Sequence, residues 1–182
     1  RTYFLHAALG LERTSFFQMA DMWECPYEMA SLVINKPAAH GILNGLVYTK
    51  KQSYYTISRL AVLLSGKIEN LDTAYFATNL VGASRCETVS IQRFALLKDG
   101  KPLYVYYLPT DIQDEEANRT GFCLDIFAHG VEPIKDPVLI DPYTGDVFAL
   151  DEATVGVGVQ AEGLPIAEYP LIICDRSTYE IE

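Results

Sequence analysis

Apolar residues recur at helical spacing in two places within the first third of the chain. Residues 3–12 predict a short helix that ends at Gly10, with four residues on its apolar face: Phe4, Leu5, Ala8 and Leu9. Residues 52–65 predict a longer helix with a second apolar stripe: Ile57, Leu60, Ala61 and Leu64. Thr49 is the expected cap of its first turn, and Gly66 is the expected left-handed residue that ends it.

Between the two helices the pattern changes to that of a strand followed by irregular chain. The apolar run Thr14–Ala20 predicts one strand. Prolines and glycines then interrupt residues 25–48, so we expect a long irregular connection there. Residues 1–66 therefore predict a helix–strand–loop–helix unit.

After Gly66 the apolar residues follow short, strand-like runs separated by turn residues. About seven such runs are present, with a hairpin predicted at Asp99–Gly100 and a turn at residues 141–145. An acidic linker is expected at residues 109–121. The series predicts a mainly β fold, in which residues 67–182 form an antiparallel β-sandwich that follows the α/β segment 1–66.

The charge balance excludes two classes of partner. The chain has 24 Asp and Glu against 14 Lys and Arg, a formal charge of -10, which repels both nucleic-acid backbones and anionic membrane surfaces. No apolar run is long enough to cross a bilayer. Hydrophobic residues make up 49% of the chain, enough for a sizeable core.

Cysteines and histidines do not predict a metal or cofactor site. The four cysteines lack C-x-x-C spacing and are expected to be buried thiols: Cys25, Cys86, Cys123 and Cys174. Unpaired thiols favour a reducing compartment such as the cytoplasm. The three histidines lack metal-ligand spacing: His6, His40 and His129. Residues 141–146 place oxygen ligands around a glycine but lack the calcium-loop register, which favours a hairpin turn.

Four stretches resemble the C-terminal end of a clan A glycoside hydrolase of the β-xylosidase or β-galactosidase kind. In that family a retaining (β/α)8 barrel carries an appended β-sandwich. "YFLHAALGLERTSFFQMAD" resembles the seventh barrel helix and eighth strand, and "KKQSYYTISRLAVLLSG" resembles the eighth helix. "FALLKDGKPLYVYYLP" and "VLIDPYTGDVFAL" resemble a hairpin and a later strand–turn–strand of the sandwich.

The resemblance assigns no catalytic residue to this chain. The family's acid/base glutamate closes the fourth barrel strand and its nucleophile closes the seventh, and both positions fall upstream of Arg1. Retaining hydrolysis needs both carboxyl groups, roughly 5 Å apart across the glycosidic bond. The resemblance therefore implies a β-sandwich that supports the edge of a sugar-binding barrel and is not catalytic by itself.

Three residues after the predicted strand are candidate sugar contacts. Trp23 is the only tryptophan, and at the mouth of a barrel it would stack on a pyranose ring. The alternative is an aromatic residue that covers the edge of a core. Asp21 and Glu24 flank it, where they would either hydrogen-bond sugar hydroxyls or cap the loop.

Two other kinds of function stay open. In a carbohydrate-binding module, Tyr104 and Tyr106 would form a stacking platform; the alternative is that these tyrosines pack the sandwich against its barrel, with their hydroxyls reaching a wet seam. In a structural or assembly domain, the Ile57–Leu64 stripe would lack its barrel partners. It would then be covered by a second copy of the chain or by docking of residues 1–66 onto the β domain.

Overall fold

The computed structural model describes residues 2–11, 50–71, 75–81, 91–109, 123–129, 134–150, 154–155 and 158–179. Within these ranges the helices are α1 (Thr2–Ala8), α2 (Gln52–Leu63) and α3 (Arg176–Tyr179). The strands are β1 (Ile68–Asn70), β2 (Tyr75–Val81), β3 (Gln92–Lys98), β4 (Lys101–Tyr107), β5 (Cys123–His129), β6 (Pro137–Ile140), β7 (Val147–Ala149), β8 (Thr154–Val155), β9 (Gly158–Pro165) and β10 (Leu171–Asp175). The predicted mainly β, antiparallel fold is confirmed. None of the described helices has the length and hydrophobicity needed to cross a membrane.

Six strands form one antiparallel sheet in the order β1-β3-β4-β10-β6-β7. The hairpin predicted at Asp99–Gly100 joins β3 to β4, with Lys98 paired with Lys101. Both turn residues have positive φ, 50° and 82°, and such a two-residue turn matches the twist of the flanking strands. β10 then inserts between β4 and β6, so residues distant in sequence complete the centre of the sheet.

Four strands form a second antiparallel sheet in the order β2-β5-β9-β8. β5 pairs with β2 over its whole length, from Tyr75↔His129 to Val81↔Cys123. The ladder between β5 and β9 shifts register between Leu124 and Ile126. An irregularity of this kind bends a strand and increases its local twist.

One face of the six-stranded sheet packs against residues of the four-stranded sheet. Tyr104 and Tyr106 of β4 belong to this core with Leu164 of β9, and Phe76 of β2 packs against it. The rings of Phe76 and Tyr104 lie 5.4 Å apart, and the Tyr106 hydroxyl donates to the carbonyl of Pro165 at 2.9 Å. The tyrosines therefore fill the space between the two sets of strands.

The opposite face of the six-stranded sheet is covered by helices. Leu103 and Val105 alternate with the tyrosines along β4 and join a second core, which contains Phe4 of α1 and both Leu60 and Leu63 of α2. Since all residues from Pro102 to Tyr107 are buried, β4 is covered on both faces. The helices of the first third thus dock on the β structure, one of the two arrangements expected for their apolar stripe.

Both helices differ in detail from the sequence predictions. α1 ends at Ala8, and it turns Phe4 towards the sheet, so that Leu5 and Leu9 are 45% and 66% exposed. In α2, Lys51 takes the N-cap position predicted for Thr49. Ala61 was predicted to face the core but is exposed, and Leu63 is buried instead. A leucine side chain buries more apolar area than alanine at the contact between the helix and the sheet.

The glycines at the helix ends were predicted correctly. Gly10 and Gly66 have φ angles of 71° and 83°, and residues other than glycine rarely adopt such backbone angles. At Gly66 the carboxylate of Asp99 also lies where a Cβ would be. The strand predicted at Thr14–Ala20 lies outside the described residues, and the division of the chain at residue 66 stays a prediction.

Candidate functional site

The candidate sugar contacts inferred from the sequence lie outside the described residues. This applies to Trp23, Asp21 and Glu24 alike, so their role stays a prediction. His6 is half-buried on α1, and no group of His, Cys, Asp or Glu able to hold a metal ion occurs in the part of the chain that the structure describes. The site is therefore built from the described residues around α1 and α2.

The tyrosines of β4 do not form an exposed platform. Tyr104 and Tyr106 are 1% and 0% exposed, which leaves no ring face for a sugar. Burial raises the pKa of Tyr104 to about 12 and raises the pKa of Tyr106 further. These side chains pack against residues of the four-stranded sheet, and the Tyr106 hydroxyl donates to the Pro165 carbonyl, so they are neither a stacking platform nor a contact with hydroxyls at a wet seam.

The turn at residues 141–145 is a hairpin connection between β6 and β7. One oxygen of the Asp141 carboxylate accepts from the backbone N–H groups of Tyr143 and Thr144, at 2.8 and 3.1 Å. The other accepts from the Tyr169 hydroxyl at 2.9 Å, and Gly145 has a φ of 90°. Asp141 is thus occupied in holding the turn, as expected for a hairpin rather than a calcium loop.

This turn is tied to α2 by two polar side chains, an arrangement we call the helix–turn junction. Arg59 Nη1 donates to the carbonyls of Pro142 and Tyr143 at 3.0 and 2.9 Å. Gln52 Nε2, two turns earlier on the helix, donates to the same Tyr143 carbonyl. A Cβ at Gly145 would lie 2.6 Å from the Arg59 guanidinium carbon, so the glycine lets the helix side chain approach the turn.

The other end of α2 is held by a lysine. Lys98 Nζ donates to the carbonyls of Val62 and Thr178, both at 3.1 Å. The Val62 carbonyl also accepts from the N–H and the hydroxyl of Ser65, at 3.2 and 2.7 Å, and a cation at the C-terminal end of a helix interacts favourably with the helix dipole. Lys98 therefore links β3, α2 and α3, and α2 is fixed to the β structure at both ends.

Among the carboxylates that the structure describes, Asp175 is the one whose pKa is clearly shifted. Burial acts to raise this pKa, but hydrogen bonds from Ser177 and from backbone N–H groups of Asp136 and Lys135 outweigh it, so the pKa is lowered. A general acid needs the opposite shift. Asp175 is suited to anchoring the start of α3 to the loop before β6, through N–H groups at 3.1 to 3.3 Å.

An open cleft lies between the C-terminal ends of α1 and α2. Its volume is about 460 Å³, and seven residues line it: Tyr3, Ala7, Gly10, Leu11, Leu64, Gly66 and Ile68. Tyr3, Ala7, Leu64 and Ile68 also border the helix–sheet core. We call it the α1–α2 cleft; none of its lining residues carries a charged or titratable group suited to acid–base chemistry apart from the Tyr3 hydroxyl, and its surface combines apolar side chains with exposed polar atoms.

No protein-family model, curated protein or solved structure matches this chain.

The residues that the sequence did not single out are the polar ones that join α2 to the sheet. One signal favours Arg59: α2 contains no Asp or Glu, so its arginine has no ion-pair partner on the helix and is available to acceptors elsewhere. Lys98 and Gln52 carry no comparable signal, because their carbonyl acceptors are set by tertiary structure.

Proposed function

We propose that this chain is the C-terminal part of a glycoside-hydrolase-like protein. In this proposal residues 67–182 are a β-sandwich, and residues 1–66 are the last helix–strand–helix part of a (β/α)8 barrel. The sandwich supports the barrel edge that binds sugar. The chain is not catalytic by itself, because the two glutamates of the resembled family belong to barrel strands upstream of it.

The observation that carries the proposal is the way the β structure holds α1 and α2. Both helices pack through Phe4, Leu60 and Leu63 on one face of the six-stranded sheet. Gln52 and Arg59 of α2 donate to carbonyls of the turn at residues 141–145, and Lys98 of β3 donates to the Val62 carbonyl at the C-terminal end of the helix. A sheet that uses one face to fix two helices, and the other to pack on more strands, is suited to a supporting role.

A sandwich arrangement is supported by the core between the sheets. Tyr104 and Tyr106 meet Phe76 and Leu164 there, and inner faces that interdigitate in this way are the basis of sheet-on-sheet packing. The helix–strand–helix assignment depends on the strand that the sequence predicts at Thr14–Ala20, which lies between α1 and α2 in the chain and outside the described residues.

Sugar contact is assigned in this proposal to Trp23, Asp21 and Glu24. They follow the predicted strand, and barrel enzymes build their sites from the loops after the strands. A carbohydrate-binding module based on Tyr104 and Tyr106 has less support, because those rings are buried. The partners expected are a carbohydrate and the remaining barrel units of the same polypeptide.

The reading frame upstream of Arg1 tests the proposal most simply. We expect about six further strand–helix units and then a seventh strand there, since a complete barrel has eight strands, with a glutamate after the fourth and after the seventh strand. A frame that lacks such units would refute it. Sugar contact has its own test: titration with soluble oligosaccharides should change the fluorescence of Trp23, and Trp23→Phe should abolish the change.

A further inference from the structure

The turn between β3 and β4 contains the only Asp–Gly pair in the chain, Asp99–Gly100. Both residues are exposed, and a Cβ built on Gly100 would meet nothing within 4 Å. Because glycine has no Cβ, nothing on residue 100 hinders contact between its backbone nitrogen and the aspartate side chain before it. An Asp–Gly pair is therefore open to attack of that nitrogen on the aspartate carboxyl group.

This reaction rearranges the backbone and needs no reagent other than water. The Gly100 nitrogen bonds to Asp99 Cγ, the bond from Cγ to the carboxyl OH breaks, and that OH leaves with the N–H proton as water. A second water molecule then opens the cyclic imide. Cleavage of the bond from nitrogen to Cγ restores aspartate, whereas cleavage of the bond from nitrogen to the main-chain carbonyl carbon leaves isoaspartate, in which the main chain runs through Cβ and Cγ.

The folded turn holds the reacting atoms apart. Asp99 and Gly100 have φ angles of 50° and 82°, the two positive values of a type I′ turn. In such a turn the first of the two residues has a ψ of about +30°, which directs the Gly100 nitrogen away from Asp99 Cβ. The Asp99 backbone must therefore rotate, and the turn must open, before the ring can close.

A second restraint acts on the Asp99 carboxylate itself. Its Oδ1 accepts from the Lys67 N–H at 2.9 Å, and the Asp99 N–H donates to the Lys67 carbonyl at 2.9 Å. Gly66 makes room for this contact, because a Cβ at residue 66 would overlap the carboxylate. Ring closure moves the carboxyl group to the Gly100 nitrogen, so the bond from the Lys67 N–H must break first.

We propose that Asp99 is a site of isoaspartate formation and that Gly66 and Lys67 hold it in the unreactive state. Isoaspartate adds one main-chain atom between Lys98 and Lys101, which are paired in the sheet, and a two-residue turn does not accommodate it. Since β4 is buried on both faces, the modification disrupts the centre of the six-stranded sheet. The proposal is independent of the proposed function.

Timed incubation of the folded chain tests the proposal, with isoaspartate at residue 99 measured by mass spectrometry of the peptide that contains it. Gly66→Ala displaces the carboxylate. Gly10→Ala is the matched control, because Gly10 has a φ of +71° and nothing within 4 Å of the added Cβ. We expect isoaspartate to form about tenfold faster in Gly66→Ala than in the native chain, which corresponds to the loss of a hydrogen bond of about 1.4 kcal/mol. Gly10→Ala should match the native chain, and in urea all three should react at the same, higher rate.

Equal rates in folded Gly66→Ala and in the folded native chain would refute the restraint by Gly66 and Lys67. Absence of isoaspartate at residue 99 in urea would refute the site itself. A second measurement uses the native chain alone and covers the case in which Gly66→Ala does not fold. The Lys67 amide proton, bound to Asp99 Oδ1, should exchange with solvent at least about tenfold more slowly than in the unfolded chain, and exchange at the unfolded rate would overturn the proposal.

Discussion

The helix–turn junction makes a quantitative prediction, because Gly145 and Arg59 are coupled by geometry. Gly145→Ala places a methyl group 2.6 Å from the guanidinium carbon, so the guanidinium must shift, and we expect Arg59 to lose its two carbonyl acceptors. Hydrogen bonds from a charged donor contribute about 1.5–3 kcal/mol each, and the partial exposure of this pair puts their sum near 2–3 kcal/mol. The positive φ of residue 145 adds about 1–2 kcal/mol of backbone strain for alanine.

A double-mutant cycle separates these contributions. We expect Gly145→Ala to cost about 3–5 kcal/mol of unfolding free energy in the native chain, but only the strain of about 1–2 kcal/mol in Arg59→Ala, which has already lost the bonds. Gly100→Ala is the matched control, because Gly100 has a φ of +82° and nothing within 4 Å of the added Cβ. It should cost the same with and without Arg59.

The assay is urea unfolding followed by circular dichroism and by fluorescence, whose transitions should coincide and whose m-values should be unchanged among the variants. If Gly145→Ala costs equal amounts in the two backgrounds, the guanidinium does not depend on the glycine. The described junction would then be wrong.

Three further predictions concern single residues. Leu63→Ala should lower the free energy of unfolding by about 2–5 kcal/mol because Leu63 is fully buried. Leu9→Ala, at a residue that is 66% exposed, should lower it by less than about 0.5 kcal/mol. Similar losses for the two variants in urea unfolding would contradict the packing of α2 on the sheet. Asp175→Asn should lower the free energy of unfolding at pH 7. The difference in unfolding free energy between the two proteins should shrink as the pH falls below about 4, because a lowered pKa stabilises the folded state only while the carboxyl is ionised. An undiminished difference at pH 2 would argue against the hydrogen bonds assigned to the Asp175 carboxylate. Burial, with Asp175 nearby, raises the pKa of the Cys174 thiol to about 12. Iodoacetamide at pH 8 should therefore leave the peptide that contains Cys174 unmodified in the native protein and alkylate it in urea. Rapid labelling of Cys174 in the native protein would show that the thiol is not buried.

Local chemistry explains which parts of the fold could be predicted from the sequence. The Asp99–Gly100 hairpin and the glycine ends of α1 and α2 were predicted correctly, because each depends on φ angles that few residues adopt. The position of Tyr104 and Tyr106 on the same face of β4 could also be predicted, because side chains two residues apart in a strand point to the same face.

Tertiary structure decided what the sequence could not predict. The insertion of β10 between β4 and β6 pairs residues far apart in the chain, and no turn signal marks such a contact. The choice of Leu63 over Ala61 for the buried side of α2 depends on how the helix rotates against the sheet. The acceptors of Arg59 are carbonyls of a distant turn, and carbonyls are the same in every residue.

The candidate functional residues also include some that were inferred from the sequence and some that only the structure shows. Trp23, Asp21 and Glu24 were chosen from their position after a predicted strand, and they lie outside the described residues. Leu5 and Leu9 were predicted on the apolar face of the first helix with Phe4, but they are 45% and 66% exposed.

Hydrolysis of aryl β-glycosides by the 182-residue chain tests most directly whether its role is support rather than catalysis. We expect chromophore release no faster than in buffer, with the extended protein hydrolysing the same substrates at enzyme-like rates. Enzyme-like release by the 182-residue chain, abolished by Asp21→Asn or Glu24→Gln, would contradict the account.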